Sequence, residues 1–276
     1  MVTLHPTVIV TGATGAIGSA TSAVLARRGA RVLLMARPSP RLDALAKRLG
    51  GSGQRVESVP VDLSSMSSVR AAAREINRTG GHVDALLNVA AIFTTRYQRT
   101  ADGFELMLAT NHLGPFLLTN LLRDRLIRAG RVITVTAPSA TQVDIERLLD
   151  KYRFDAMHTF GATKAANLMF TFELARRASR WDVRANAFHP GLVRSELMKD
   201  APRGVRVLAR WVSGSAARAA EDLAELALSP SHSGTTGWLF KGTRRIDPPK
   251  QPLNVEWQDA LWKRSAEMVE LEGAGF

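Results

Sequence analysis

Apolar residues fall along this chain in short continuous runs, separated by stretches in which they recur every three or four positions. Val8-Ile9-Val10-Thr11 is the first run, Arg31 to Ala36 the second, Val56 to Val61 the third, Val83 to Ala91 the fourth and Arg131 to Ala137 the fifth. Runs this apolar leave no wet face, so they read as strands covered on both sides. The stretches between them, through Arg28, ending at Leu49 and opening at Ser64-Ser65, have the spacing of amphipathic helices. Gly50-Gly51-Ser52-Gly53 stops the second of these before the third run. Strand and helix in alternation predict an α/β fold with a doubly wound parallel sheet, one domain over residues 1–276.

The first run stops at Gly12-Ala13-Thr14-Gly15-Ala16-Ile17-Gly18. Glycines at these positions allow a tight turn, an approach to a phosphate without a Cβ, and close packing of helix on strand, while the helix N-terminus offers N–H groups to an anion. A pyrophosphate seat built from Gly12, Thr14, Gly15, Ala16, Ile17 and Gly18 is the expectation, against the plainer reading of a surface turn before an ordinary helix. No Lys-Ser/Thr closes the turn, which excludes a nucleoside-triphosphate loop. At the end of the second run, Arg37 stands where an acidic residue would accept from a ribose 2′-OH. A guanidinium there suits a 2′-phosphate, so NADP(H) is expected over NAD(H), with Arg41 as a second contact. Asp62 ends the third run where an adenine edge would be met, and the fourth runs into small residues fit to lie under a nicotinamide ribose.

At 276 residues and 45% apolar, the chain can bury one substantial core. It has no cysteine, which excludes disulfides, thiolate metal sites and thiol nucleophiles; no metal is expected. No run reaches about 18 apolar residues and no leader pattern opens the chain, so a cytoplasmic protein without an integral membrane segment is expected. The net charge of +12, from 37 Lys+Arg against 25 Asp+Glu, raises the question of nucleic acid. The arginines (Arg27, Arg28, Arg123, Arg125, Arg128, Arg176, Arg177, Arg180) sit singly or in pairs at helical spacing, as on solvated helix faces, with no interleaved aromatics. An anionic cofactor, or an acidic or carrier-bound substrate, is a better use for the charge, and a homo-oligomer is compatible with it.

Taken together, these motifs resemble the short-chain dehydrogenase/reductase superfamily, and within it the retinol dehydrogenase-like branch. Thr11 to Gly18 fits its glycine turn, Asp62-Leu63 its adenine-contact pair, Asn88-Val89-Ala90-Ala91 its small-residue loop and Asn111-His112-Leu113-Gly114 its central helix. His189-Pro190-Gly191-Leu192-Val193 fits the loop beyond its sixth strand; Gly237-Trp238-Leu239-Phe240 and a terminal helix from Asn254 to Leu271 are similar too. The resemblance implies a Rossmann-type, seven-stranded parallel sheet and a nicotinamide cofactor held by Leu63, Asn88, Ala90, Lys164, Pro190, Gly191 and Val193 besides the glycine turn. It also implies a catalytic set of Ser, Tyr, Lys and Asn. Of these, only Asn111 and Lys164 stand in place: the tyrosine position is Phe160, the serine position Ala137, and Thr136 takes the serine next to it.

A positioned acid is worth about 10²–10⁴ in rate, so ordinary ketone reduction should suffer severely. Tyr97 and Tyr152 do not precede a lysine by one turn and are no stand-ins. His158, Ser139, Thr136 and Lys164 are the candidate replacements, His158 foremost because imidazole titrates near neutral pH. A substrate lid is expected near 195–215, where Leu197 to Val212 combines an apolar face with Lys199, Arg203, Arg206 and Arg210. Three functions follow as expectations. The first is an NADP(H)-binding enzyme of small-molecule, natural-product-like metabolism, performing acid-independent hydride transfer or a non-redox cyclisation, elimination or isomerisation. The second is a conventional NADPH-dependent carbonyl reductase using His158, and the third a non-catalytic NADP(H)-binding partner subunit.

Overall fold

The computed structural model describes residues 5–51, 53, 55–191, 215–271, 273 and 275–276. Its strands are β1 (Thr7–Thr11), β2 (Arg31–Ala36), β3 (Val56–Pro60), β4 (Ala85–Asn88), β5 (Arg131–Val135), β6 (Arg184–His189), β7 (Leu239–Lys241) and β8 (Arg244–Ile246). They form one sheet in the order β3-β2-β1-β4-β5-β6-β7-β8. β1 to β7 are parallel, as the sequence predicts. The eighth strand corrects the expected count of seven. Gly242, at φ 62°, turns the chain in a two-residue loop and lays β8 antiparallel on β7.

Val8, Ile9 and Val10 are wholly buried because helices cover both faces of the sheet. Val8, Val10, Val32 and Leu34 meet α1 (Ala16–Arg27), α2 (Pro40–Gly50) and α6 (Ala216–Leu228). Ile9, Leu33 and Met35 point to the opposite side, which is covered by α3 (Met66–Thr79), α4, α5 (Ala156–Arg177) and α7 (Val255–Met268). α4 is one helical stretch in three parts, Leu106–Leu108, a π turn Ala109–Leu113 and Gly114–Leu121. The order of strands reverses between β1 and β4, which opens a crevice at their carboxyl ends.

Side chains cap most of the helices. Ser39 accepts from Leu42 N ahead of α2, Ser65 from Ser68 N ahead of α3, Asp155 from His158 N ahead of α5 and Asn254 from Trp257 N ahead of α7. Ser64, paired with Ser65 in the sequence reading of that cap, instead hydrogen-bonds the Asp62 carboxylate. The arginines also depart from expectation: several are clamps between helices. Arg28 of α1 pairs with Glu221 of α6 at 2.7 Å, and Arg177 of α5 with Asp259 of α7 at 2.7 Å, because acidic residues line the facing edge of the neighbouring helix.

Candidate active site

The glycine turn lies at the carboxyl end of β1. Gly12 has φ 64°, and a Cβ there would stand 2.7 Å from Ala90 Cα; a Cβ on Gly18 would stand 2.2 Å from the Gly12 carbonyl oxygen. Both positions therefore need glycine for space, and the first for its backbone conformation as well. Gly15 N donates to Gly12 O at 2.9 Å and stands at the N-cap of α1. Alone among the long helices of the nucleotide half, α1 has no side-chain cap and no acidic residue in its first turn. Its N–H groups and dipole face the crevice, as an anion requires. Thr11 binds the two sides together: its hydroxyl donates to Leu87 O and accepts from Val89 N and Ala90 N at 3.0 and 3.2 Å.

Arg37 is exposed at the end of β2 and makes no ion pair among the described residues. Asp62 is half-buried after β3, one of its carboxylate oxygens accepting from Ser64 N and Oγ. Leu63 packs against α4, where a Cβ on Gly114 would come within 2.2 Å of Leu63 O. Asn88 is buried, with Nδ2 on Thr119 Oγ1 and Oδ1 lacking a partner among the described residues. Pro190 and Gly191 (φ 74°) follow β6 at the same rim. Thus the residues expected to hold a dinucleotide lie along one edge, and the uncapped N-terminus of α1, packed closely on the turn through Gly12 and Gly18, fits a pyrophosphate. Val193 and the expected lid, including Leu197 to Val212, lie outside the described residues.

At the reacting end, α5 carries Phe160 and Lys164 on one face, four residues apart. Lys164 is only 6% exposed, and burial lowers its ammonium to about 8. Its Nζ lies 5.0 Å from the centre of the Phe160 ring, which meets Phe93 edge to face at 5.6 Å. Phe93 and Met107 are buried, and Ile92, Phe154, Ala156 and Phe160 pack around them. This aromatic wall is missing from the sequence reading; its signal there is Ile92-Phe93 directly after the small-residue loop. Asn111 lies in the π turn, wholly buried, with Nδ2 on Ile92 O and Thr163 Oγ1 and Oδ1 accepting from Ile92 N. It holds the wall's loop against α4.

The substitute hydroxyls are committed to backbone. Thr136 Oγ1 donates to Lys164 O at 2.8 Å, so it points into α5, and Ser139 Oγ donates to Gly161 O at 2.8 Å. Ala137 is half-buried at the end of β5. His158 is two residues before Phe160, about 160° round the helix axis. Burial lowers its imidazole, with Arg147 next; Asp155 and Asp144 are its other charged neighbours. It therefore faces the segment before the helix, and the structure does not bring it to Lys164. His189, at the end of β6, is a group the site reading passed over: burial lowers its imidazole, and Nδ1 has no partner among the described residues.

A family model described as short chain dehydrogenase matches residues 6–205. Retinol dehydrogenase 13 of Mus musculus is 34% identical over 280 residues, covering 96% of this chain and 84% of that protein. Among solved structures, that of an uncharacterized protein from Mycobacterium paratuberculosis is similar with a TM-score of 0.76 and 30% identity, over 96% of this chain and 93% of the other. A short chain dehydrogenase from Burkholderia cenocepacia J2315, solved in complex with NADP, shares the fold with a TM-score of 0.71 at 23% identity, over 86% and 95% of the two chains. No helix among the described residues is long and apolar enough to cross a membrane.

Proposed function

The chain belongs to the short chain dehydrogenase family, and from that premise we propose that it is an NADP(H)-binding oxidoreductase-like enzyme whose altered reacting end transfers hydride without a side-chain hydroxyl. The observation that supports this reading is a tightly packed glycine turn at an uncapped helix in a chain whose reacting positions are Phe160 and Ala137, with Thr136 and Ser139 turned onto the backbone of α5. When bound, the nicotinamide cofactor supplies or accepts the hydride. Gly12, Gly15 and the first turn of α1 would hold its pyrophosphate, Asp62 its adenine end and Lys164 its ribose. The exposure of Arg37, without an ion pair among the described residues, supports a contact with a 2′-phosphate. Phe160, half-buried over the core pair Phe93 and Met107, gives an apolar substrate a ring to pack on. The substrate is a small molecule that needs no proton from a hydroxyl to accept hydride.

Fluorescence titration with NADPH and NADH should show tighter binding of NADPH, and Arg37→Asp should erase that preference by tenfold or more. Wild-type protein should reduce acetophenone and similar isolated ketones very slowly. The double variant Phe160→Tyr with Ala137→Ser should gain about 10²-fold or more, the worth of a positioned acid. Equal ketone turnover by wild type and double variant would show the missing hydroxyls to be irrelevant.

A further inference from the structure

Two kinds of acceptor take hydride without a side-chain acid: an iminium ion and a conjugated carbonyl. The charge inside the pocket separates them. Lys164 is buried against the Phe160 ring, and no carboxylate among the described residues pairs with it. The π turn of α4 packs on the same helix, with the Asn111 amide on Thr163 Oγ1 and the His112 ring between Asn167 and Ser265. The Thr136 hydroxyl beyond β5 is spent on Lys164 O, His189 ends β6, and His158 is turned to another side of the Lys164 helix. Burial lowers all three imidazoles below their ordinary value, and burial is also the cause of the downward shift of Lys164.

A lone ammonium in an apolar enclosure repels a cationic substrate at short range. It attracts an oxygen on which negative charge is growing, and the attraction is stronger in the transition state than in the ground state. Resting on the hydride-transfer reading above, we infer that the substrate class is a neutral, planar α,β-unsaturated carbonyl compound, seated on the Phe160–Phe93 wall with its carbonyl oxygen on the Lys164 ammonium. The reductant is a reduced nicotinamide dinucleotide. Hydride forms a C–H bond at the β-carbon, the C=C π pair shifts to the α-carbon and carbonyl oxygen, and the resulting enolate is held by Lys164. One proton from water then forms the C–H bond at the α-carbon and completes the saturated ketone, Lys164 keeping its charge throughout. Below about pH 8 the ammonium is present; above it the enolate loses its partner.

Benzalacetone is a suitable probe because its ultraviolet band moves to longer wavelength when its oxygen meets a cation. In cofactor-free protein and in the complex with NADP⁺, which cannot reduce it, the band should shift red at pH 7, and the shift should fade with a midpoint near pH 8. Lys164→Arg should keep the shift at pH 9.5, and Lys164→Met should show none at any pH. With deuterated NADPH the product should be 4-phenyl-2-butanone labelled at the β-carbon, and the 2-methyl-3,4-dihydroisoquinolinium ion should react at least tenfold more slowly in kcat/KM. An unshifted band in protein that binds NADPH, faster turnover of the isoquinolinium ion, or the allylic alcohol as product would each overturn the inference while leaving the hydride-transfer reading standing. Failure to bind NADPH would remove that reading, and the band in cofactor-free protein would still decide whether Lys164 meets the carbonyl.

Discussion

At the scale of a residue, Gly18 shows how little room the cradle has. A methyl group there would sit 2.2 Å from the Gly12 carbonyl oxygen and 3.0 Å from Ala13 Cα, both backbone atoms that no rotamer change can move aside. Gly18→Ala should therefore push α1 off the turn, costing about 1–3 kcal/mol in urea unfolding and weakening NADPH tenfold or more by fluorescence titration. Unaltered affinity would mean that the turn does not hold the pyrophosphate. This residue was legible in the sequence, because glycine spacing encodes a backbone requirement directly. So was the pairing of Phe160 with Lys164, since four residues on a helix make one face. The directions of Thr136 and Ser139 were only half legible: strand alternation turns Thr136 away, but nothing in the sequence tells that Ser139 reaches back to Gly161 O.

At the scale of an element, α4 is the instructive one. Two buried titratable groups sit on it with opposite consequences for pH. His112, between Asn167 Oδ1 at 3.3 Å and Ser265 Oγ at 2.9 Å, is lowered by burial to about 4. The unfolded chain takes a proton before the folded one does, so stability should fall as pH drops from 6.5 toward 4, by roughly 3 kcal/mol over the window. Glu105 caps the helix through Leu108 N while its Oε1 lacks a partner among the described residues, and burial raises it above its ordinary 4.5. Its contribution has the reverse sign, present below pH 4.5 and lost as pH rises through the folded value. Urea unfolding across pH 4 to 8 should show His112→Gln flattening the acid limb and Glu105→Gln gaining on wild type as pH rises; parallel curves for all three proteins would contradict both assignments. The π turn that carries His112 was invisible beforehand. Its residues have the same apolar spacing as a regular helix, and the extra residue is fixed by contacts from α5 and α7 that no local pattern encodes.

At the scale of the whole molecule, the parallel sheet followed from the succession of apolar runs, because parallel strands buried on both faces leave an unbroken apolar signature. The edges were less legible. β8 has only three residues, Arg244–Ile246, too short to show a period, and it exists because Gly242 turns the chain back. Charge behaves similarly: a count gives +12, but only packing shows that Arg27, Arg28, Arg176 and Arg177 are engaged by acidic residues while Arg37 makes no ion pair among the described residues. With the net field positive and Arg37 exposed, NADPH affinity should weaken several-fold between 20 and 300 mM salt. Calorimetric titration should show a smaller loss for NADH, which lacks the 2′-phosphate; equal slopes would take Arg37 out of recognition.

The extra residue in α4 joins two distant registers. Within the π turn, Asn111 fastens the loop that bears Phe93; just after it, Gly114 slots against Leu63 beside the adenine end. Deleting one residue from Ala109–Leu113 would yield a smoother cylinder with every backbone bond satisfied, yet it would rotate the following half by about 100°. Gly114 would swing off Leu63 and a bulkier neighbour would take its place. Chain length across those five residues thus acts as a gauge block between the two ends of the crevice, and homologues that drift freely in their surface loops should hold this spacing fixed.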